Sequence, residues 1–232
     1  MTGTDDGWLR ERPPEMIHAD GMTLERSHVD HLDDLVSAVN ASIDQLRPWM
    51  PWARHPATPE TIAEFLGQSD VDWVHGDQFQ FAMRSDGDGS GGGDGSGGGG
   101  GDGSSGGGAS GDIIGYCGLH ARLGTGALEI GYWVRSDRTG QGAATAAAGA
   151  LARVALALAG VEWVEIRCDA ANARSAAIPP KLGFRLDRIE SRPPGAPGET
   201  GDLMVWVLSS GTTLTSSTED HPPTQACGPA VS

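Results

Sequence analysis

Residues 138–145 read Arg-Thr-Gly-Gln-Gly-Ala-Ala-Thr and lie between an apolar run, Leu128 to Val134, and an alanine-rich stretch, Gly142 to Ala159. Two glycines at a strand-to-helix turn admit dihedrals that other residues avoid. The first helical turn that follows presents N–H groups with no acceptor four residues back, in the positive field of the helix dipole. Main-chain atoms alone can therefore cradle a phosphate there. A Walker-type loop is excluded because no Gly-Lys pair follows. A dinucleotide fingerprint, Gly140-x-Gly142-x-x-Thr145 with Asp169 downstream, is an alternative that lacks its third glycine.

Other chemistry-bearing residues are sparser. Cys117, Cys168 and Cys227 are an odd count without framework or zinc-ligand spacing. Cys168 closes an apolar run from Trp163 and has no histidine partner nearby in sequence, so it reads as a packing thiol. Asp86-Gly-Asp88-Gly-Ser90-Gly91 matches the opening of a calcium loop, but Gly97 stands where the bidentate Glu belongs. No metal is expected.

The elements that would position this turn are legible from periodicity. Met22 to Arg26 reads as a strand, and Leu32, Leu35, Val36, Val39, Ile43 and Leu46 recur at helical spacing. Thr58-Pro59-Glu60 caps and starts a second helix. Phe79, Phe81 and Met83 alternate with polar neighbours, and strands recur at Ile113–Leu119, Leu128–Val134, Trp163–Cys168, Phe184–Ile189 and Leu203–Leu208. Helices are expected over Gly142–Ala159 and over Ala173–Leu182, the latter disturbed by Pro179-Pro180. The fold class expected is α/β (α+β), a single domain with a mixed, mostly antiparallel sheet flanked by helices.

The chain of 232 residues holds 36 Gly and carries a formal charge of −15. Residues 85–112 are almost wholly Gly, Ser and Asp, a composition expected to stay disordered as an insertion in a hairpin. Lengthening a loop from about four to about 27 residues adds only roughly 1.7 kcal/mol, so the flanking strands can still pair. Residues 1–20 and 209–232 are expected to be disordered tails around a domain over 21–208. The acidity and the lack of Lys/Arg runs argue against nucleic acid and anionic membranes. The N-terminal residues show no signal-peptide pattern, and the expected location is cytoplasmic.

Five blocks then carry a likeness: Leu128-Glu-Ile-Gly-Tyr-Trp-Val134, Gly140-Gln-Gly-Ala-Ala-Thr145, Glu165-Ile-Arg-Cys-Asp169, Asn172-Ala-Arg-Ser175 and Lys181-Leu-Gly-Phe184. With Leu46-Arg-Pro-Trp-Met-Pro-Trp-Ala53, they resemble the GNAT superfamily of N-acetyltransferases, in its RimJ/RimL-like branch, from about Met22 to Leu208. The superfamily signature, Gln or Arg, two residues, Gly, one residue, Gly or Ala, falls on Thr139, Gly142 and Ala144, with Thr139 a departure. The resemblance implies acetyl-CoA as acyl donor, held by Thr139, Gly140, Gln141, Gly142, Ala143, Ala144 and Thr145 at its phosphates and by Trp133, Val134 and Asn172 along its pantetheine arm. It implies Ser175 as the residue bonding the departing sulfur; the tyrosine used by many members at a later position is here Pro179. Glu129 is the leading base, with Glu199 and Asp202 behind it and His120 read as surface. The acceptor implied is an amine, either a ribosomal-protein-like N-terminus or a small molecule, with Trp49, Trp52 and Trp73 on its side of the cleft. A non-catalytic acetyl-CoA sensor stands as the alternative function, and a homodimer is left open.

Overall fold

The computed structural model describes residues 8–86 and 111–211. Strands β1 (Met16–Ala19), β2 (Met22–Arg26), β3 (Gln78–Ser85), β4 (Ile113–His120), β5 (Ala127–Val134), β6 (Trp163–Asp169), β7 (Arg185–Ser191) and β8 (Asp202–Ser209) form one sheet. Their order is β1-β2-β3-β4-β5-β6-β8-β7. All neighbours pair antiparallel except β5 and β6, which are parallel. A doubly wound dinucleotide fold needs a mainly parallel sheet, so the dinucleotide alternative is set aside on topology.

Helix α4 (Ala143–Ala157) covers one face of the sheet. Its Ala147, Ala148, Ala152 and Ala155 are fully buried, and such short side chains let the helix axis approach Leu128, Ile130, Val164 and Ile166. The other face is covered by α1 (Leu32–Asn40) and α3 (Pro59–His75), whose Leu35, Val39, Ile62 and Leu66 pack on Ala82, Ile113 and Tyr116. Thr58 caps α3 through the Thr61 N–H, with Pro59 first in the helix, as its sequence indicates.

Three boundaries differ from expectation, each for a physical reason. The N-terminal segment is not unstructured up to residue 20. Leu9 is buried, Met16–Ala19 pairs with β2 across a turn at Gly21 (φ 69°), and Arg12 bonds three carbonyls, of Leu9, Trp73 and Val74. Four residues are too few for periodicity to register. The helix expected from Leu32 to Leu46 breaks into α1 and α2 (Ile43–Leu46). The break frees the Ala41 carbonyl and Ser42 hydroxyl, which hold Ser136 just after β5 at 2.9 and 3.0 Å. The helix expected over Ala173–Leu182 is two single turns, α5 (Ala173–Ala176) and α6 (Ile178–Lys181), because Pro179 and Pro180 cannot donate to the preceding turn. The Gly-rich segment lies outside the described residues over 87–110, as does the tail over 212–232; the strands flanking the former pair with a bulge at Met83/Arg84.

Candidate active site

The functional geometry begins where β5 and β6 part. They pair in register from Ala127↔Trp163 to Ile130↔Ile166 and no further, although β5 continues to Val134 and β6 to Asp169. On its other edge β5 stays paired with β4 up to Gly115↔Val134, and the Arg135 N–H donates to the Ile114 carbonyl at 2.8 Å. Alternation of backbone groups then turns Trp133 toward β4 and Tyr132 and Val134 toward the gap. Of the pair expected along a pantetheine arm, Val134 turns its backbone to the gap, as does Tyr132, whereas Trp133 pairs with Tyr116. Gln45 of α2 donates to the Val134 carbonyl at 3.3 Å, leaving the N–H groups of Tyr132 and Val134 as donors in the opening.

The Trp133 ring lies on the α1/α3 side, stacked on Tyr116 at 6.5 Å and 6.2 Å from Trp52. Trp52 is 52% exposed at the mouth of the opening, whereas Trp73 packs edge-on against Phe79 and Phe81 and belongs to the core. Trp49 is half-buried beside the mouth.

Beyond β5, a short turn at Ser136–Arg138 leads into Thr139, Gly140, Gln141 and Gly142. Gly140 and Gly142 have φ of 77° and 87°, which L side chains rarely adopt, and a Cβ on either would meet nothing within 4 Å. Both glycines are therefore required by backbone conformation, and the space above them is open. Gly142 is the N-cap of α4 and offers no side-chain oxygen. Helix geometry leaves the Ala143, Ala144 and Thr145 N–H groups unpaired; the first intrahelical bond is from Ala146 to the Gly142 carbonyl at 2.9 Å. Thr139 turns its hydroxyl onto the Ser136 carbonyl and Gln141 its amide onto the Asp137 carbonyl, so both side chains brace the loop and the anion site is backbone. A phosphate-bearing donor fits this arrangement: open space, uncapped amides, and a strand gap lined with unused donors.

Asn172 caps α5, its Oδ1 accepting from the Ser175 N–H at 3.2 Å. This fixes Ser175, whose hydroxyl lies 3.2 Å from the Tyr132 hydroxyl. Burial pushes the Tyr132 hydroxyl up from its ordinary range, so it stays protonated. Sequence reasoning named Ser175 and missed Tyr132; a hydroxyl on the α4 side of an otherwise apolar strand was the available signal. Cys168 is buried beside this pair and burial pushes its thiol up, so it stays a neutral thiol and not a nucleophile.

Glu129 lies one residue before the last paired position of β5, buried, with both oxygens held by Arg122 at 2.6 and 2.9 Å. Directly across in register, Glu165 is held at one oxygen by Arg167 and accepts at the other from the Trp163 ring N–H. His120 neighbours Glu129 on β4; it is not plain surface, since burial lowers its pKa to about 4 and it bonds Gln78 at 2.8 Å. Glu199 is buried in the β7–β8 loop, accepting from the Gly195 and Ala196 N–H groups and from Arg192. Asp202 opens β8, exposed. Among the described residues no group of His, Cys, Asp or Glu stands close enough to hold a metal ion, and no helix is long and apolar enough to cross a membrane.

The family model for the acetyltransferase (GNAT) domain matches residues 22–185. The chain belongs to the GNAT acetyltransferase family. No curated protein matches it. Its fold is that of Mycobacterium smegmatis RimJ in complex with CoA-disulfide, at 19% identity, TM-score 0.69, covering 86% of this chain and 90% of that one. It is also that of RimL, a ribosomal-protein α-N-acetyltransferase in complex with coenzyme A (16%, 0.68, 84% and 98%). A third likeness is to the microcin self-immunity acetyltransferase MccE in complex with acetyl-CoA and AMP (17%, 0.67, 82% and 93%). The RimJ/RimL-like reading and acetyl-CoA as acyl donor agree with these neighbours.

Proposed function

We propose that this protein is an N-acetyltransferase that moves the acetyl group of acetyl-CoA onto a primary amine, a protein N-terminus or a small molecule, by direct attack. The observation that carries it is the alignment of an uncapped, glycine-opened helix start with a strand gap that ends at the Tyr132–Ser175 hydroxyl pair. The amides of residues 139–145 hold the diphosphate, each favourable interaction with the helix end contributing roughly 0.3–1 kcal/mol. The N–H groups of Tyr132 and Val134 and the free amide nitrogen of Asn172 bind the pantetheine arm, and acetyl-CoA, when bound, supplies an activated carbonyl with a thiolate leaving group.

Tyr132 and Ser175 have hydroxyls far less acidic than a thiol, whose pKa is near about 8.5, so they donate hydrogen bonds to the departing sulfur without surrendering protons. The nucleophile needs a free amine. An α-amino group titrates at about 7.7–8.0, so a usable fraction is already unprotonated at neutral pH. Glu129, clamped by Arg122 at both oxygens, acts through water; the proton that the attacking nitrogen loses passes by water to the departing sulfur, which leaves as the CoA thiol. Glu199 is similarly committed to three donors.

The test is calorimetric binding of acetyl-CoA, followed by CoA release and acceptor mass shift over a panel of amines. Amine-dependent CoA release with a one-acetyl gain on the acceptor is expected. Tight acetyl-CoA binding with no turnover on any amine would point instead to the sensor function, for which the clamped carboxylates and the Pro179 substitution speak.

A further inference from the structure

Resting on the acetyl-transfer function above, we propose that the acceptor carries an anionic oxygen group close to its amine, and that Arg47 and Arg54 receive it. The two arginines line a cleft of about 380 Å³ whose remaining wall is Pro194, Gly195, Ala196 and Pro197. One side of the cleft is the segment joining α2 to α3; the other is the β7–β8 loop. Both sides are anchored to the catalytic opening. On the first side Gln45 bonds Val134 and Trp52 meets Trp133. On the second, the Asp169 carboxylate at the end of β6 accepts from the Thr200 and Gly201 N–H groups and the Thr200 hydroxyl. The two sides touch through the Gly198 N–H and the Pro48 carbonyl at 2.8 Å. Both walls of the cleft are thus tied to the elements that flank the strand gap.

Its charge is opposite to that of the protein. In a chain of net charge −15, the wall residues carry two cations and no anion. The nearby carboxylates are committed or turned outward: Glu199 is buried and bound by Arg192, Gly195 and Ala196, and Asp44 meets one Arg47 nitrogen at 3.2 Å while 91% exposed. Arg54 makes no ion pair or hydrogen bond with any described residue. The Nε of Arg47 is buried without a partner. That nitrogen is closed to solvent, so the groups open to an incoming carboxylate or phosphate oxygen are the exposed Arg54 guanidinium and the outer nitrogens of the half-exposed Arg47. Arginine's planar fork suits either group.

The experiment uses the full chain with saturating acetyl-CoA and matched acceptor pairs. One arm compares peptides Ser-Glu-Glu and Ser-Gln-Gln, the other O-phosphoethanolamine and ethanolamine. In at least one arm the anionic member is expected to have a kcat/KM at least tenfold above its neutral twin, carried in KM, and shrinking as salt is raised. Which arm shows it identifies the source of the charge. Arg54→Gln and Arg47→Gln are expected to raise KM for the anionic acceptor about tenfold with kcat held, and Arg54→Glu to turn the preference toward Ser-Lys-Lys. Equal kcat/KM for charged and neutral twins in both arms overturns the proposal while leaving acetyl transfer standing, as does an Arg54→Gln variant that slows both twins alike. Acetylation of no amine overturns the transfer function and this proposal together.

Discussion

Replacing Gly142 by glutamate tests the anion site with a charge and a built-in control. A Cβ at this position meets nothing within 4 Å, so steric conflict within the protein is not the issue. The φ of 87° is, and holding an L-residue there costs roughly 1–2 kcal/mol of folding stability in Gly142→Ala and Gly142→Glu alike. The two variants should melt together, a few degrees below the parent. They should part in binding. A carboxylate about 6 Å from one unit of phosphate charge is repelled by about 0.7 kcal/mol in bulk water and by about 3 kcal/mol at an effective dielectric near 20. Those bounds correspond to a roughly 3-fold to 100-fold weaker Kd for acetyl-CoA in the glutamate variant than in the alanine variant. The site is open, so the lower half of that range is expected, and the gap should narrow as ionic strength brings the Debye length below about 6 Å. Calorimetry at low and high salt reads both effects. Equal Kd values for the two variants at low salt would refute the placement of the phosphates at this helix start.

Tyr132→Phe should lower kcat roughly tenfold with the Kd for acetyl-CoA unchanged, since it removes one hydrogen bond to the pair at Ser175 and no packing volume; Tyr132→Phe and Ser175→Ala combined should cost less than the product of their separate effects, and strict independence would argue against a shared role. Gly198→Ala would place a Cβ 2.8 Å from the Pro48 carbonyl oxygen and its Cβ, forcing the two loops apart, so KM for the acceptor should rise while acetyl-CoA affinity holds; a crystal structure with the loops unmoved would contradict this. His120 is held neutral, with a folded pKa of about 4 against about 6.5 unfolded, so the unfolded chain binds the extra proton first. The stability it permits is present above pH 6.5 and is lost as pH falls through the window from 6.5 to 4; His120→Gln should flatten the melting temperature against pH there, and an unchanged slope would assign it to the carboxylates. Replacing residues 87–110 by a short turn between the ends of β3 and β4 should retain acetyl-CoA binding and turnover and raise stability by up to about 1.7 kcal/mol, and lost turnover in a folded deletion variant would show that the segment takes part in function.

The sequence made the donor side of this site legible and the acceptor side opaque, and the difference is physical. The donor side is built from backbone in regular elements: two glycines at a strand-to-helix turn, an alanine stripe that seats the helix, an apolar strand on either side. Each leaves a local pattern, so Gly140, Gly142 and the start of α4 fall where periodicity and turn chemistry place them. The parting of β5 from β6 leaves no such pattern, since Val134 and Asp169 end their strands as any residues do; only registration against a third and fourth strand reveals it. Tyr132 and Ser175 stand 43 residues apart, so no local pattern joins them. Glu129 was picked out by its place before the gap, and its clamp by Arg122 across a tight loop has no sequence signature.

That clamp bears on how the proposed acetyl transfer depends on the acceptor. Glu129, Glu165 and Glu199 are each bound by an arginine, whereas Asp202, exposed at the start of β8, is the carboxylate among the sequence candidates without such a partner. In the transfer proposed above, the rate comes chiefly from presenting an amine that is already unprotonated, in line with the thioester. An enzyme of that kind gains most from holding its acceptor in place, the role proposed above for Arg47 and Arg54. It follows that the pH dependence of kcat/KM should track the pKa of the chosen amine and not that of a protein group. Two acceptors differing by one unit in amine pKa should give profiles displaced by one unit; coincident profiles would place a titrating protein base in the mechanism after all.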